Sequence, residues 1–220
     1  MTNIGAFIDL VGTATAETLA MVSLSTLLSL ALGFPLGVLL CVTAPTGISP
    51  RPVLSQALSR VVNVLRSFPF IILMILLFPL SRVVVGTSIG TAATIVPLSI
   101  AAAPFVARII ESALKEVDPG VVQAARAMGS LNRQIVLKVL IPEALPALVS
   151  GTTLTVINLI GYSAMAGAIG GGGLGDLAIR YGYQRFRSDI MAAAVLIILA
   201  LVELIQLAGN RLSARLLARR

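Results

Sequence analysis

The chain has 220 residues, 57% of them hydrophobic and 11% charged, with a net charge of +7 and a mean hydropathy of +1.01. A soluble domain carries roughly 25% charged residues, so the composition predicts an integral membrane protein, and the basic excess reads as membrane topology rather than nucleic-acid binding. With no histidine and a single cysteine, Cys41, the chain excludes histidine chemistry, a disulfide and a metal site of the usual ligands.

The charges are segregated: none falls between Glu17 and Arg51, between Arg82 and Arg108, or between Glu143 and Asp176. Each gap exceeds the ~20 residues that cross a bilayer. Residues 1–16 are mildly apolar and lack the basic start of a secretory signal, so no cleaved targeting peptide is expected. The first span is predicted over about 19–42, ended by Pro45, Gly47 and Pro50. The second covers about 61–80 and opens with Arg66-Ser67-Phe68-Pro69-Phe70, where Arg66 is read as snorkelling to the headgroups. The third, about 86–109, contains Pro97 and Pro104, which membrane helices tolerate. A fourth over about 147–169 and a fifth over about 190–208 complete an all-α polytopic fold of five transmembrane helices in one domain, 1–220.

Between the third and fourth spans lies a polar interlude, Val121–Pro146. Val121, Ala124, Ala125, Met128 and Leu131 recur at the spacing of an amphipathic helix. Gly129 interrupts that pattern, and Pro142 and Pro146 are read as closing it. The expectation is a helix, a tight turn at Gly129 and a second helix, together about 119–140, before the chain re-enters the membrane. Spacing alone leaves two readings open: a helix pair docked on another protein, or one lying on lipid headgroups.

Basic residues set the orientation. With an odd number of spans and the N-terminus outside, Arg51, Arg60, Arg66, Arg108, Lys115, Arg126, Arg133, Lys138, Arg211, Arg215, Arg219 and Arg220 fall inside. These are twelve of the sixteen basic residues, the distribution the positive-inside rule favours. The interlude and the C-terminus are then cytosolic, and the glycine-rich run Gly167–Gly175 is a flexible external turn. That run lacks the lysine of a phosphate-binding loop. The predicted spans hold one acidic residue, Glu203, read as snorkelling or pairing helices rather than coupling an ion. Neither an intramembrane protease nor equal inverted repeats can be assembled, so the driving energy must come from elsewhere.

Gln123-Ala124-Ala125, Gly129, Val139, Ile141 and Pro142 closely resemble the EAA loop of ABC-importer permeases. They match its spacing throughout and depart at the first position, where Gln123 replaces Glu. Arg66–Phe70, Pro142–Pro146, Gly161–Gly167 with the glycines that follow, and Tyr181-Gly182-Tyr183 are similar to segments of methionine-importer permeases. The resemblance implies the type I ABC importer permease fold in a bacterial inner-membrane homodimer, with a path for methionine near the twofold axis. It further implies two cytosolic ATP-binding subunits carrying ATP and Mg, an external substrate-binding protein, and no cofactor or catalytic residue on this chain. Gln123, Ala124, Ala125, Met128, Gly129 and Pro142 become the implied coupling contacts to the ATPase.

Gly151, Thr155, Asn158, Tyr162 and Met165 lie on one stripe of the fourth span. Gly151 and Thr155 suit helix packing. Asn158, Tyr162 and Met165 are candidates for the pathway, with Met165 as an adaptable gate. The stripe carries no fixed charge, which points to weak binding in transit and to selectivity residing in the external protein. A different small amino acid or peptide, an ATP-independent transporter, and a membrane scaffold are the alternative readings.

Overall fold

The computed structural model describes residues 4–218. Arg219 and Arg220, counted above on the inner side, lie outside the described residues. The regular structure of these residues is helical: α1 (Ile4–Thr43), α2 (Pro52–Ser67), α3 (Phe70–Val85), α4 (Thr91–Lys115) and α5 (Pro119–Ala127). Next, α6 (Asn132–Ile135), a π-helical stretch (Val136–Leu140) and α7 (Ile141–Gly167) run on as one rod. The short α8 (Gly173–Leu177) leads through a second π stretch (Ala178–Tyr183) to α9 (Ser188–Leu217).

Among the described residues four helical segments are long and apolar enough to cross a membrane, and the bent pair α2–α3 makes five if it is one broken span. Contacts give their directions. Gly90 N–H donates to Gly170 O at one end of the bundle. At the other, the ends of α1 and α4 meet α5 in a cluster containing Cys41, Ile110, Leu114, Ala125 and Leu140. Ser213 of α9 donates to Pro146 O. Thus α1, α4 and α9 run one way, α7 runs the other, and the two termini of the bundle lie at opposite ends.

The first three predicted spans are revised by physical causes. The first begins at Ile4 rather than near residue 19. At about 1.5 Å per residue α1 is ~60 Å long, twice the ~30 Å hydrocarbon thickness. Its extra length is held because Phe7, Leu10, Val11 and Ala14 pack on Leu174, Leu177 and Ile190. The second span is broken, bending by 102° between Ser67 and Phe70. Pro69 disfavours helical geometry in the residue before it, and Phe68 is extended at φ −69°, ψ 132°. The third starts at Thr91, because Gly86 and Gly90 hold left-handed φ of 85° and 97°.

Pro142 and Pro146 do not end the helix that follows the interlude. Ile141 N–H reaches back to Val136 O, and this wide turn absorbs the missing donor and the ring of Pro142 that would break a regular helix.

A close helix contact joins α1 to α4. A Cβ built on Gly33 would lie 2.6 Å from Ala103 O, and one on Gly37 2.6 Å from Ala107 O. This glycine pair, four residues apart, is the small-residue contact that lets membrane helices touch backbone to backbone.

Candidate functional site

Two regions gather the residues singled out in the sequence. The first is α5 and its turn. Asp118 caps α5 by accepting from Gly120 N–H at 2.7 Å, with Pro119 at the first helical position. The helix ends as expected at Gly129, whose φ is +79°. Gly129 N–H bonds to Arg126 O at 2.9 Å, and Ser130 N–H to Ala125 O at 3.1 Å. This pair of bonds is the Schellman arrangement, for which a left-handed residue is required.

The structure divides the predicted docking residues. Ala125 is buried against Ile110, Leu114, Ile135 and Leu140. It anchors α5 to the bundle, and its side chain faces the bundle rather than the surface. Val121, Ala124, Met128 and Leu131 are exposed, with Met128 at 79%. The Arg126 guanidinium donates to Ile48 O, tying α5 to the loop after α1. Gln123 is exposed and lines a cavity with Cys41, Ile48, Lys115 and Arg126. Pro142 is exposed on the rod some three helical turns beyond Gly129. At this end buried Glu111 accepts from Arg108 at 2.6 Å and Lys115 at 2.7 Å. Arg108 also reaches Ser59 and Asn63 of α2.

The second region lies deeper. Gly151 packs against Ile109, and buried Thr155 donates to Gly151 O at 3.0 Å, so both serve packing. Asn158 and Met165 are exposed on the protomer surface. Tyr162 is half-buried and stacks on Phe70, with ring centroids 4.2 Å apart and 7° between planes. Asn158 and Tyr162 share a cavity of about 260 Å³ with Arg66, Phe68, Phe70 and Phe105. Met165 is not part of it.

Arg66 is exposed and lines the same cavity as Asn158 and Tyr162, which brings a fixed charge beside two of the three candidate pathway residues. Position 66 lies at the end of α2, next to the break at Phe68-Pro69, and the bend turns it toward the middle of α4. Ala101 and Phe105, which line the same cavity, sit ~15 and ~21 Å along the ~37 Å of α4. The signal missed in the sequence was the residue before Pro69, which marks a break rather than a continuing span.

The glycine-rich run is packed, not a free turn. Glu17 Oε2 accepts from Gly173 N–H at 2.7 Å and Thr18 Oγ1 from Leu174 N–H at 2.8 Å. Those side chains come from the middle of α1 and satisfy the exposed donors at the start of α8.

Comparison with known proteins bears on both regions. A model of the family described as binding-protein-dependent transport system inner membrane component matches residues 33–219. The chain is 51% identical over 207 residues to the probable D-methionine transport system permease protein MetI of Vibrio cholerae, covering 94% of this chain and 92% of that one. It is 48% identical over 207 residues to the same-named protein of Pasteurella multocida, covering 94% and 95%. A solved structure, described as inward facing conformations of the MetNI methionine ABC transporter, matches with a TM-score of 0.95 at 46% identity, over 98% of this chain and 99% of that one.

Proposed function

The chain belongs to the family of binding-protein-dependent transport system inner membrane components, and from that premise we propose that it is the permease subunit of a methionine importer driven by ATP. It is a transporter subunit of the ABC class and not an enzyme. The observation that carries methionine as substrate is the agreement with the MetNI transporter, at a TM-score of 0.95 and 46% identity over 98% of the chain.

In this reading two copies of the chain form the membrane unit, each resting on a cytosolic subunit that binds ATP and Mg, while an external binding protein delivers D- or L-methionine. Val121, Ala124, Met128 and Leu131 of α5 and its turn form the face offered to the ATPase. Their exposure supports this role, because a helix covered by its own protein would not leave 79% of Met128 open. Arg126 and buried Ala125 fix α5 to the bundle, so a push on its exposed face is transmitted to α1 and α4. Asn158, Tyr162 and Met165 line the path. The N-terminus lies outside and the α5 end in the cytosol of a bacterial inner membrane; the basic residues Arg51, Arg126, Arg133, Lys138, Arg211 and Arg215 support that orientation.

Proteoliposomes containing this chain, its ATPase and its binding protein test the proposal. They should accumulate radiolabelled methionine only when ATP is present on the ATPase side. Accumulation without ATP, or none with ATP, overturns it.

A further inference from the structure

The Arg66 cavity combines features that packing alone does not require. Among the described residues, neither the Arg66 guanidinium, the Asn158 amide nor the Tyr162 hydroxyl has a hydrogen-bond or ion-pair partner, although all three line one cavity of about 260 Å³. The contrast with Arg108 is direct: that arginine is engaged by Glu111, Ser59 and Asn63. An arginine at the depth of mid-α4 is costly in a bilayer and persists where it meets a partner or a water-filled path. Its planar fork matches a carboxylate. Around it stand four of the ten aromatic residues of the chain, Phe68, Phe70, Phe105 and Tyr162. The parallel stack of Phe70 on Tyr162 presents a flat wall. Thioether sulfur makes favourable contacts with aromatic rings.

We propose that this cavity is a transit site for the amino acid, in which Arg66 pairs with the substrate carboxylate, Asn158 and Tyr162 hydrogen-bond its polar end, and Phe68, Phe70 and Phe105 hold the apolar side chain. The proposal rests on the importer reading above and gives its path a recognition element. Binding there is weak by design, because the cavity is open and the substrate must leave it. The bend at Pro69 is what makes the site: it ends α2 beside Phe105 and starts α3 with Phe70 against Tyr162.

The permease–ATPase complex without binding protein provides the test, so that recognition by the binding protein does not contribute. A diazirine analogue of methionine is photo-crosslinked, and the labelled peptides are mapped by mass spectrometry. Label should fall within residues 65–73, 101–105 or 158–162. Excess methionine should compete with it at least about tenfold better than methionine amide, which lacks the carboxylate and so loses the charged hydrogen bond. In Arg66→Gln that preference should vanish, while Arg66→Lys should retain part of it; a merely structural arginine would leave the preference unchanged. Label elsewhere in the chain, or an undiminished preference in Arg66→Gln, overturns the proposal while leaving the importer reading intact. Loss of the dimer in Arg66→Gln, seen by size exclusion, overturns it in favour of an ion pair between copies. Absence of methionine uptake by the wild-type transporter overturns the importer reading and the site together.

Discussion

Gly129→Val addresses the coupling turn most directly. Gly129 has a φ of +79°, and a Cβ built there meets nothing within 4 Å. Inside this chain the penalty is therefore conformational rather than steric. Forcing an L-residue into the left-handed region costs ~1–2 kcal/mol, and a β-branched residue sits at the upper end or beyond. If the turn relaxes instead, the bonds from Gly129 N–H to Arg126 O and from Ser130 N–H to Ala125 O are lost, each at ~0.5–1.5 kcal/mol. Either way Met128 and Leu131 lose their fixed position relative to α5, whereas the apolar helices that decide membrane insertion are untouched. In proteoliposomes with ATPase and binding protein, Gly129→Val should insert and assemble normally but lose most substrate-stimulated ATP hydrolysis and uptake. Gly129→Asn is the internal control, since asparagine tolerates the left-handed region, and it should retain much of both activities. Normal stimulated hydrolysis in Gly129→Val would refute the assignment of this turn to coupling. Equal damage from Asn and Val would refute the conformational argument and point to close approach of the partner backbone.

Three further outcomes concern the orientation, the gate and the α1–α4 contact. In a Cys41→Ser background, cysteine at Tyr183, a side chain 71% exposed at the glycine-loop end, should react with an impermeant thiol reagent on intact cells, and cysteine at Arg133 should not; the reverse pattern overturns the orientation. Met165→Ala removes an exposed, flexible side chain from the proposed gate and should raise ATP hydrolysis in the absence of substrate without changing which amino acid is carried; altered preference at unchanged basal hydrolysis would make Met165 a recognition residue. Gly37→Val drives a branched side chain into Ala107 O and Ile110 and should destabilise the α1–α4 contact by ~1–3 kcal/mol, whereas Gly12→Ala, with nothing within 4 Å of its Cβ, should leave the thermal transition of the purified complex unchanged.

Several features were decided by local rules and were legible in the residues alone. Long uncharged stretches must be helices in a bilayer because no water is there to satisfy the backbone, so the all-helical fold follows from hydropathy. The turn at Gly129 follows from one residue able to adopt positive φ between two amphipathic stretches. The break at Pro69 was equally local, but a continuous apolar run concealed it. Other features arise only when distant segments meet. Periodicity gives Ala124 and Ala125 equal standing, and only packing on Ile135 and Leu140 turns Ala125 inward while leaving Ala124 exposed. The glycine-rich run reads as a flexible turn until Glu17 and Thr18, more than 150 residues earlier, supply its acceptors. Arg66, Phe105 and Tyr162 belong to three different helices, so nothing in their spacing announces a shared cavity. Hydropathy measures what each segment gains from lipid and is a property of the segment. Which face of a helix meets another helix is set by close backbone approach, as at Gly33 and Gly37, and is a property of the pair.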